Sequence, residues 1–330
     1  MLSIFRPAHQ RQLDLARHAA APQAGPAWHV REEAIMGTAI RVELWSAEHA
    51  TGEAAASAVM REMHRIDHTM SPHKPASELS RINREAARRA VALSEEMFQL
   101  LTRAVDLSDL TDGAFDITYA SAGHLYDYRA GIVPTPAALE RARAGIGWRH
   151  LELDARARTV RFAHPATRID LGGFAKGHAV DNAARLLAAR GIANAIVSAG
   201  GDSRVVGDRR GRPWTVGIRD PRRAGELVAV LPLEDTSVST SGDYERFFER
   251  DGERHHHVID PRTGRSAKGA RSVTVLAHDG VTCEALSKAV FVMGRDDGLA
   301  LVERLPGIDA VVIDATGALH GSSGFLGAAR

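Results

Sequence analysis

Cysteine is almost absent from this chain. Cys283 stands alone among 330 residues, which excludes an internal disulfide framework. Lysine is nearly as scarce: of the 42 basic residues, all but Lys74, Lys176, Lys268 and Lys288 are arginine. In such a background a lysine is either a chance survivor or a place where a compact ammonium is wanted instead of a guanidinium fork. Excess charge is missing too, the net value being +1, which argues against dedicated nucleic-acid binding. No run is long and apolar enough to span a membrane. Residues 1–27, rich in Ala, Arg, His and Gln, lack the apolar centre of a secretory signal. They read as a disordered lead-in to a single domain over 28–330, with the cytoplasm as the expected location. Internal repeats and low-complexity tracts are also lacking.

What is present is a globular composition, 44% hydrophobic and 25% charged, with ample material for a core. The stretch Arg168 to Gly207 organises the reading. Arg168–Leu171 is expected to be a short strand, Gly172-Gly173 a turn, and Phe174–Arg190 a helix ended by Gly191. Asn194–Ala199 is expected as a buried strand, followed by the turn Gly200-Gly201-Asp202. A glycine pair before a helix lets the backbone approach a ligand and aims N–H groups at it, which suits a phosphate. An ordinary strand–turn–helix–strand unit explains the same spacing. The dinucleotide and P-loop fingerprints both fail, the latter because His178 follows Gly177 where lysine belongs.

Elsewhere, Trp28–Ile35 and Thr38–Trp45 predict a hairpin about Met36-Gly37. Ala47–Thr69 predicts a helix. Ser94 predicts the cap of a second helix that runs to about Leu110. Ala114–Thr118 is expected to be extended, and Val281–Met293 helical. Strands dominate the latter half without regular alternation with helices. That favours an α+β fold, with mixed and largely antiparallel sheets, over a doubly wound one.

The polar groups allow two readings each. Asp170, Lys176 and Asp181 flank the glycine turn, where a lysine is a sound phosphate ligand or a solvated surface residue. His255-His256-His257 cannot converge on a metal from one strand, since alternate side chains face opposite ways; His257 alone is a candidate positioned base. Ser239 to Tyr244 is expected as a polar turn that binds a ligand or simply ends a strand. Glu284 and Lys288 lie i,i+4 on a helix, with Ser287 on the adjoining turn, an arrangement that is most often a surface ion pair.

Eight segments in order carry a resemblance. They are Met36-Gly37-Thr38; Met70-Ser71 with Ser77 to Asn83; Asp112 to Thr118; Asp170 to Gly177 with Asp181; Gly200-Gly201-Asp202; Ser241-Gly242-Asp243-Tyr244; His257 to Gly264; and Phe291 to Gly294. Together they resemble the FAD:protein FMN transferases of the ApbE type over roughly Ile35 to Gly294. The resemblance implies two intimate lobes about an FAD cleft. It also implies transfer of FMN from FAD to a Thr or Ser hydroxyl of an acceptor flavoprotein, with Mg²⁺ assisting and AMP leaving. An FAD pyrophosphatase and a non-catalytic FAD-binding protein stay open beside it, and relatives are often exported.

By the same resemblance, flavin and adenine contacts fall on Met36, His73, Ala114, Phe115, Asp116, Asp170, Lys176 and Val258. His73 stands where the family usually has Tyr. Lys176 would neutralise phosphate charge and His257 would take the acceptor proton. The metal would rest on the Gly173 carbonyl and on late side chains. There the family's Asp, and a Thr four residues on, are replaced by Glu284 and Lys288. A charged lysine cannot ligate. Either Lys288 supplies part of the cation's charge, or it faces solvent while Mg²⁺ binds through Gly173, Glu284 and Ser287.

Overall fold

A computed structural model describes residues 25–328 of the chain. Residues 1–24 of the expected lead-in lie outside the described residues; the remainder of that segment leads directly into the first strand. Eight strands form one sheet whose spatial order is also the chain order. They are β1 (Ala27–Ile35), β2 (Thr38–Ser46), β3 (Ala195–Ala199), β4 (Asp202–Val206), β5 (Ser237–Gly242), β6 (Ser272–Ala277), β7 (Asp309–Ile313) and β8 (Leu319–Gly321). Every neighbouring pair is antiparallel. The fold is α+β.

Alternation in β2 puts Ile40, Val42 and Leu44 on the face that helices cover. The covering helices are α1 (His49–Met70), α2 (Glu78–Glu85), α3 (Glu95–Leu110), α4 (Ala175–Ala188), α5 (Gly280–Met293) and α6 (Arg295–Val302). Of these, α1, α4 and α5 pack directly on the sheet and in turn on one another. One hydrophobic cluster runs through this layer and through the small sheet of Val91–Ala92, Leu151–Asp154 and Thr159–Phe162. The opposite sheet face is covered by the hairpin Trp214–Arg219 and Leu227–Leu233, through Trp214, Ile218, Leu231 and Leu233.

Local signals act where expected. Ser94 accepts from Met97 N–H at 3.2 Å to start α3. Gly191, at φ +73°, turns the chain out of α4. Met36 and Gly37 both take positive φ in the two-residue β1–β2 turn.

Three expectations are corrected. Arg168–Leu171 is not a strand, because the Asn83 amide bonds both the N–H and the C=O of Ile169, at 2.8 and 2.9 Å, in place of a ladder partner. Ala114–Thr118 is only partly extended, since Asp116 accepts from Thr118 N–H and closes the 3-10 turn Ile117–Tyr119. Ser239 to Gly242 is not a turn but the end of β5, a central strand paired to both β4 and β6.

Candidate active site

The polar centre of the molecule is built where α4 crosses α5. Gly177 and Gly280 meet there: a Cβ on Gly177 would lie 2.2 Å from the Gly280 carbonyl oxygen, so only glycine allows the approach. The contact brings the first turn of α4 against a helix that is buried almost all round. Glu284 of α5 then accepts from Gly177 N–H at 2.7 Å through one carboxylate oxygen and ion-pairs with Lys176 through the other. A carboxylate at a helix N-terminus satisfies an orphan donor and complements the helix dipole.

The expected phosphate cradle is therefore partly spent within the protein. Gly172 N–H is taken by Asp170 at 2.5 Å and Gly177 N–H by Glu284. Asp181 does not belong to the site. It accepts from Gly280 N–H at 2.8 Å and Val281 N–H at 3.1 Å, and so holds the start of α5.

Asp202, at the head of β4, completes the cluster. Its Oδ2 lies 2.5 Å from Lys176 Nζ, and its Oδ1 accepts from Ser239 Oγ at 2.5 Å. Ser239 and Ser241 project from alternate positions of β5 onto Ser287 Oγ, at 3.1 and 2.8 Å, and Ser287 in turn donates to the Glu284 carbonyl. Burial alone would lower the Lys176 pKa, but Asp202 and Glu284 hold it above its ordinary value. Burial likewise opposes ionisation of Asp202, and Lys176 and Lys288 overcome it, so its carboxyl sits below the usual range. Burial and the neighbouring Asp202 push the Glu284 carboxyl up, against the pull of Lys176 and Lys288.

Lys288 is not a surface residue. Its side chain is 19% exposed, its Nζ is 3.7 Å from Glu284 Oε1 and 3.5 Å from Ser287 Oγ, and its stem lies over Gly173. Burial lowers its pKa, against the pull of Glu284 and Asp202. The expectation of a solvated Glu284–Lys288 pair is corrected: Glu284 is fully buried because α5 is covered by its neighbours on nearly every side.

His257 lies just beyond the strand Glu253–His256. Its three-histidine run diverges as strand geometry requires, with His255 stacked on Phe248 and His256 bonded to the Ala267 carbonyl at 2.8 Å. The His257 N–H is held by the Arg246 carbonyl at 3.1 Å, while ring Nδ1 is buried with no partner among the described residues. Burial, then the nearby Lys288 ammonium, push the imidazole down to about 3. It is neutral at physiological pH.

Arg246 also donates to the Gly37 carbonyl at 3.2 Å, which ties the Met36-Gly37 turn to the His257 side. Asp170 feels His73 and Arg246 electrostatically, and burial raises its pKa. The Ile117 carbonyl accepts Asp170 N–H at 3.0 Å, which sets the 114–118 segment beside the glycine turn. Within it, Ala114 and Phe115 are buried, and Phe115 packs on Phe174 at 5.5 Å between ring centres. Asp116 turns inward to Thr118, and burial raises it to about 6. Val258 is buried in the core. Asp170 and the 114–118 segment thus adjoin the glycine turn, and the Met36-Gly37 turn adjoins the His257 side, while Asp116 spends its carboxylate locally. Ser239 and Ser241 come from the polar stretch expected to bind a ligand or end a strand, and Asp202 from the Gly200-Gly201-Asp202 turn; the sequence does not show that they converge on Lys176 and Ser287.

The donors do not fit a divalent cation as they stand. Both Glu284 oxygens and both Asp202 oxygens are engaged, two ammonium groups adjoin them, and Ser287 Oγ already meets four partners. Among the described residues, no group of three or more His, Cys, Asp or Glu is arranged to hold a metal. A hard cation needs several free oxygens around it.

Fold and site define an α+β protein with a buried, charge-balanced polar centre at a helix crossing. The sequence profile of the ApbE family matches residues 36–312, and the chain belongs to that family. A Treponema pallidum protein named FAD:protein FMN transferase is 33% identical over 91% of this chain and 88% of its own length. A crystal structure of the ApbE protein from Thermotoga maritima superposes with a TM-score of 0.86 at 34% identity, covering 92% of this chain and 100% of the other. The flavin transferase ApbE from Vibrio cholerae gives 0.80 at 30%, covering 92% and 99%.

Proposed function

We propose that the protein transfers FMN from FAD to a Thr or Ser hydroxyl of an acceptor flavoprotein. The observation that carries this reading is His257: a neutral imidazole whose ring Nδ1 is unengaged among the described residues, beside a buried ammonium whose ion pair with Glu284 is long, at 3.7 Å. A bound pyrophosphate would offset the ammonium that depresses the imidazole, so that the imidazole can take up a proton while the ammonium holds a phosphate oxygen. In the step envisaged, the acceptor hydroxyl oxygen forms a bond to the phosphorus on the FMN side of the pyrophosphate. The bond from that phosphorus to the bridging oxygen breaks. AMP leaves with the bridging oxygen and its electron pair, and the hydroxyl proton passes to His257. Catalysis of this kind rests on positioning and charge compensation. Lys176 serves by fixing Asp202 and Glu284, and with them the crossing of α4 and α5, rather than as a free phosphate ligand.

The names borne by the relatives support this chemistry, and so does the family's match over most of the chain. Its test is acceptor dependence. Purified protein with FAD should release AMP when a candidate acceptor flavoprotein is added and not before. Equal release without acceptor would replace the reading with FAD hydrolysis. Bound but uncleaved FAD with every acceptor would replace it with binding alone.

A further inference from the structure

Two buried lysines share one pair of carboxylates, and they are not equivalent. Lys176 sits in two close ion pairs, with Asp202 and Glu284. Among the described residues Lys288 has only Glu284 at 3.7 Å and Ser287 at 3.5 Å, although its side chain is four-fifths buried. A buried ammonium costs several kcal/mol in lost hydration unless partners replace the water. Two long contacts leave its donors undersatisfied. Lys176 alone leaves the two carboxylates one positive charge short, and Lys288 supplies it through contacts long enough to leave its N–H donors open. An anion entering over Gly173 would find them.

We infer that Lys288 stands in for a divalent cation: its ammonium meets the anionic ligand directly, and the site works without a bound metal. The geometry accounts for this from both sides. Every carboxylate oxygen a metal would use is engaged by an N–H, a hydroxyl or an ammonium, and the two ammonium groups already compensate the two carboxylates, leaving no net negative charge to attract a further cation. The stem of Lys288 lies against Gly173, where a Cβ would come within 3.5 Å of both Cγ and Cε, so the chain is directed along the glycine turn and not out to solvent. Substitution is partial in kind. An ammonium delivers one charge and hydrogen bonds, where a metal gives two charges and inner-sphere coordination.

The identity of the anion as the FAD pyrophosphate rests on the transferase reading; the absence of a metal requirement does not. Two titrations keep them apart. In the first, Mn²⁺ is added to the FAD-free protein and bound ion is counted by electron paramagnetic resonance. Wild type should bind no stoichiometric Mn²⁺, while Lys288→Thr, which leaves two carboxylates with one ammonium, should bind one equivalent. In the second, FAD affinity is measured with EDTA and with Mg²⁺. Wild type should bind equally well in both. Lys288→Thr should lose about tenfold in EDTA, the equivalent of about 1.4 kcal/mol, and recover with Mg²⁺. Lys288→Met, which has neither charge nor ligand, should lose affinity in both. One equivalent of Mn²⁺ on wild type, or loss of its FAD affinity in EDTA, overturns the inference. FAD binding to none of the proteins would overturn the transferase reading, while the Mn²⁺ count would still decide the metal question. Wild type alone supplies the overturning results, so a variant that fails to fold does not shield the idea.

Discussion

The Lys176 ammonium lies 2.5 Å from Asp202 Oδ2, although the two residues come from a helix and a strand 26 positions apart. With Glu284 on its other side, this lysine joins α4, β4 and α5 at a single atom. Removing it would leave two buried carboxylates facing each other. Lys176→Met should therefore destabilise the protein by about 3–5 kcal/mol, the usual cost of orphaning a buried charge. Urea unfolding checks this. An unchanged midpoint would mean that the cluster contributes nothing to the fold.

The close crossing of α4 and α5 makes a separate demand. Gly177→Ala places a methyl where the Gly280 carbonyl already sits, so the helices must part and the Gly177–Glu284 bond must lengthen. Overpacking of this sort costs about 1–3 kcal/mol. Gly191→Ala, at the φ +73° end of the same helix, is a control that strains the backbone but not the site. Both should lower the melting temperature, and only Gly177→Ala should also weaken FAD binding, by equilibrium fluorescence.

These contacts also mark where the sequence was legible and where it was not. The β1–β2 turn, the cap at Ser94 and the Gly191 stop are local devices, and residues within a few positions specify them. The partners of Lys176 are not local. Which strand lies beside which depends on packing of the whole sheet, so nothing near Asp202 announces that its carboxylate turns toward Lys176. Asn83 in the same way replaces a strand partner for Ile169 from 86 residues away, and a short apolar run became loop. The Glu284–Lys288 spacing is visible in sequence, but whether such a pair faces water or the core is decided by the other faces of α5.

Acid should act on the free protein through His257. Burial and Lys288 depress its folded pKa to about 3, against about 6.5 in an unfolded chain. Between those values the unfolded state binds the extra proton, so stability rises with pH in that window. The contribution is complete above about 6.5 and is lost as pH falls toward 3, at roughly 1.4 kcal/mol per pH unit at most. His257→Asn should flatten that part of the stability–pH curve relative to wild type. Parallel curves for the two proteins between pH 4 and about 6.5 would mean that the imidazole is solvated and charged.

The most direct measurement is the rate at which an acceptor flavoprotein gains the mass of one FMN, at saturating FAD, with wild type and with His257→Ala. A general base is worth about 10²–10⁴-fold. The variant should form the same adduct slower by that factor, with FAD affinity preserved. Adduct formation at the wild-type rate would contradict the role of His257, and no adduct from wild-type protein with FAD bound and acceptor present would contradict the transfer itself.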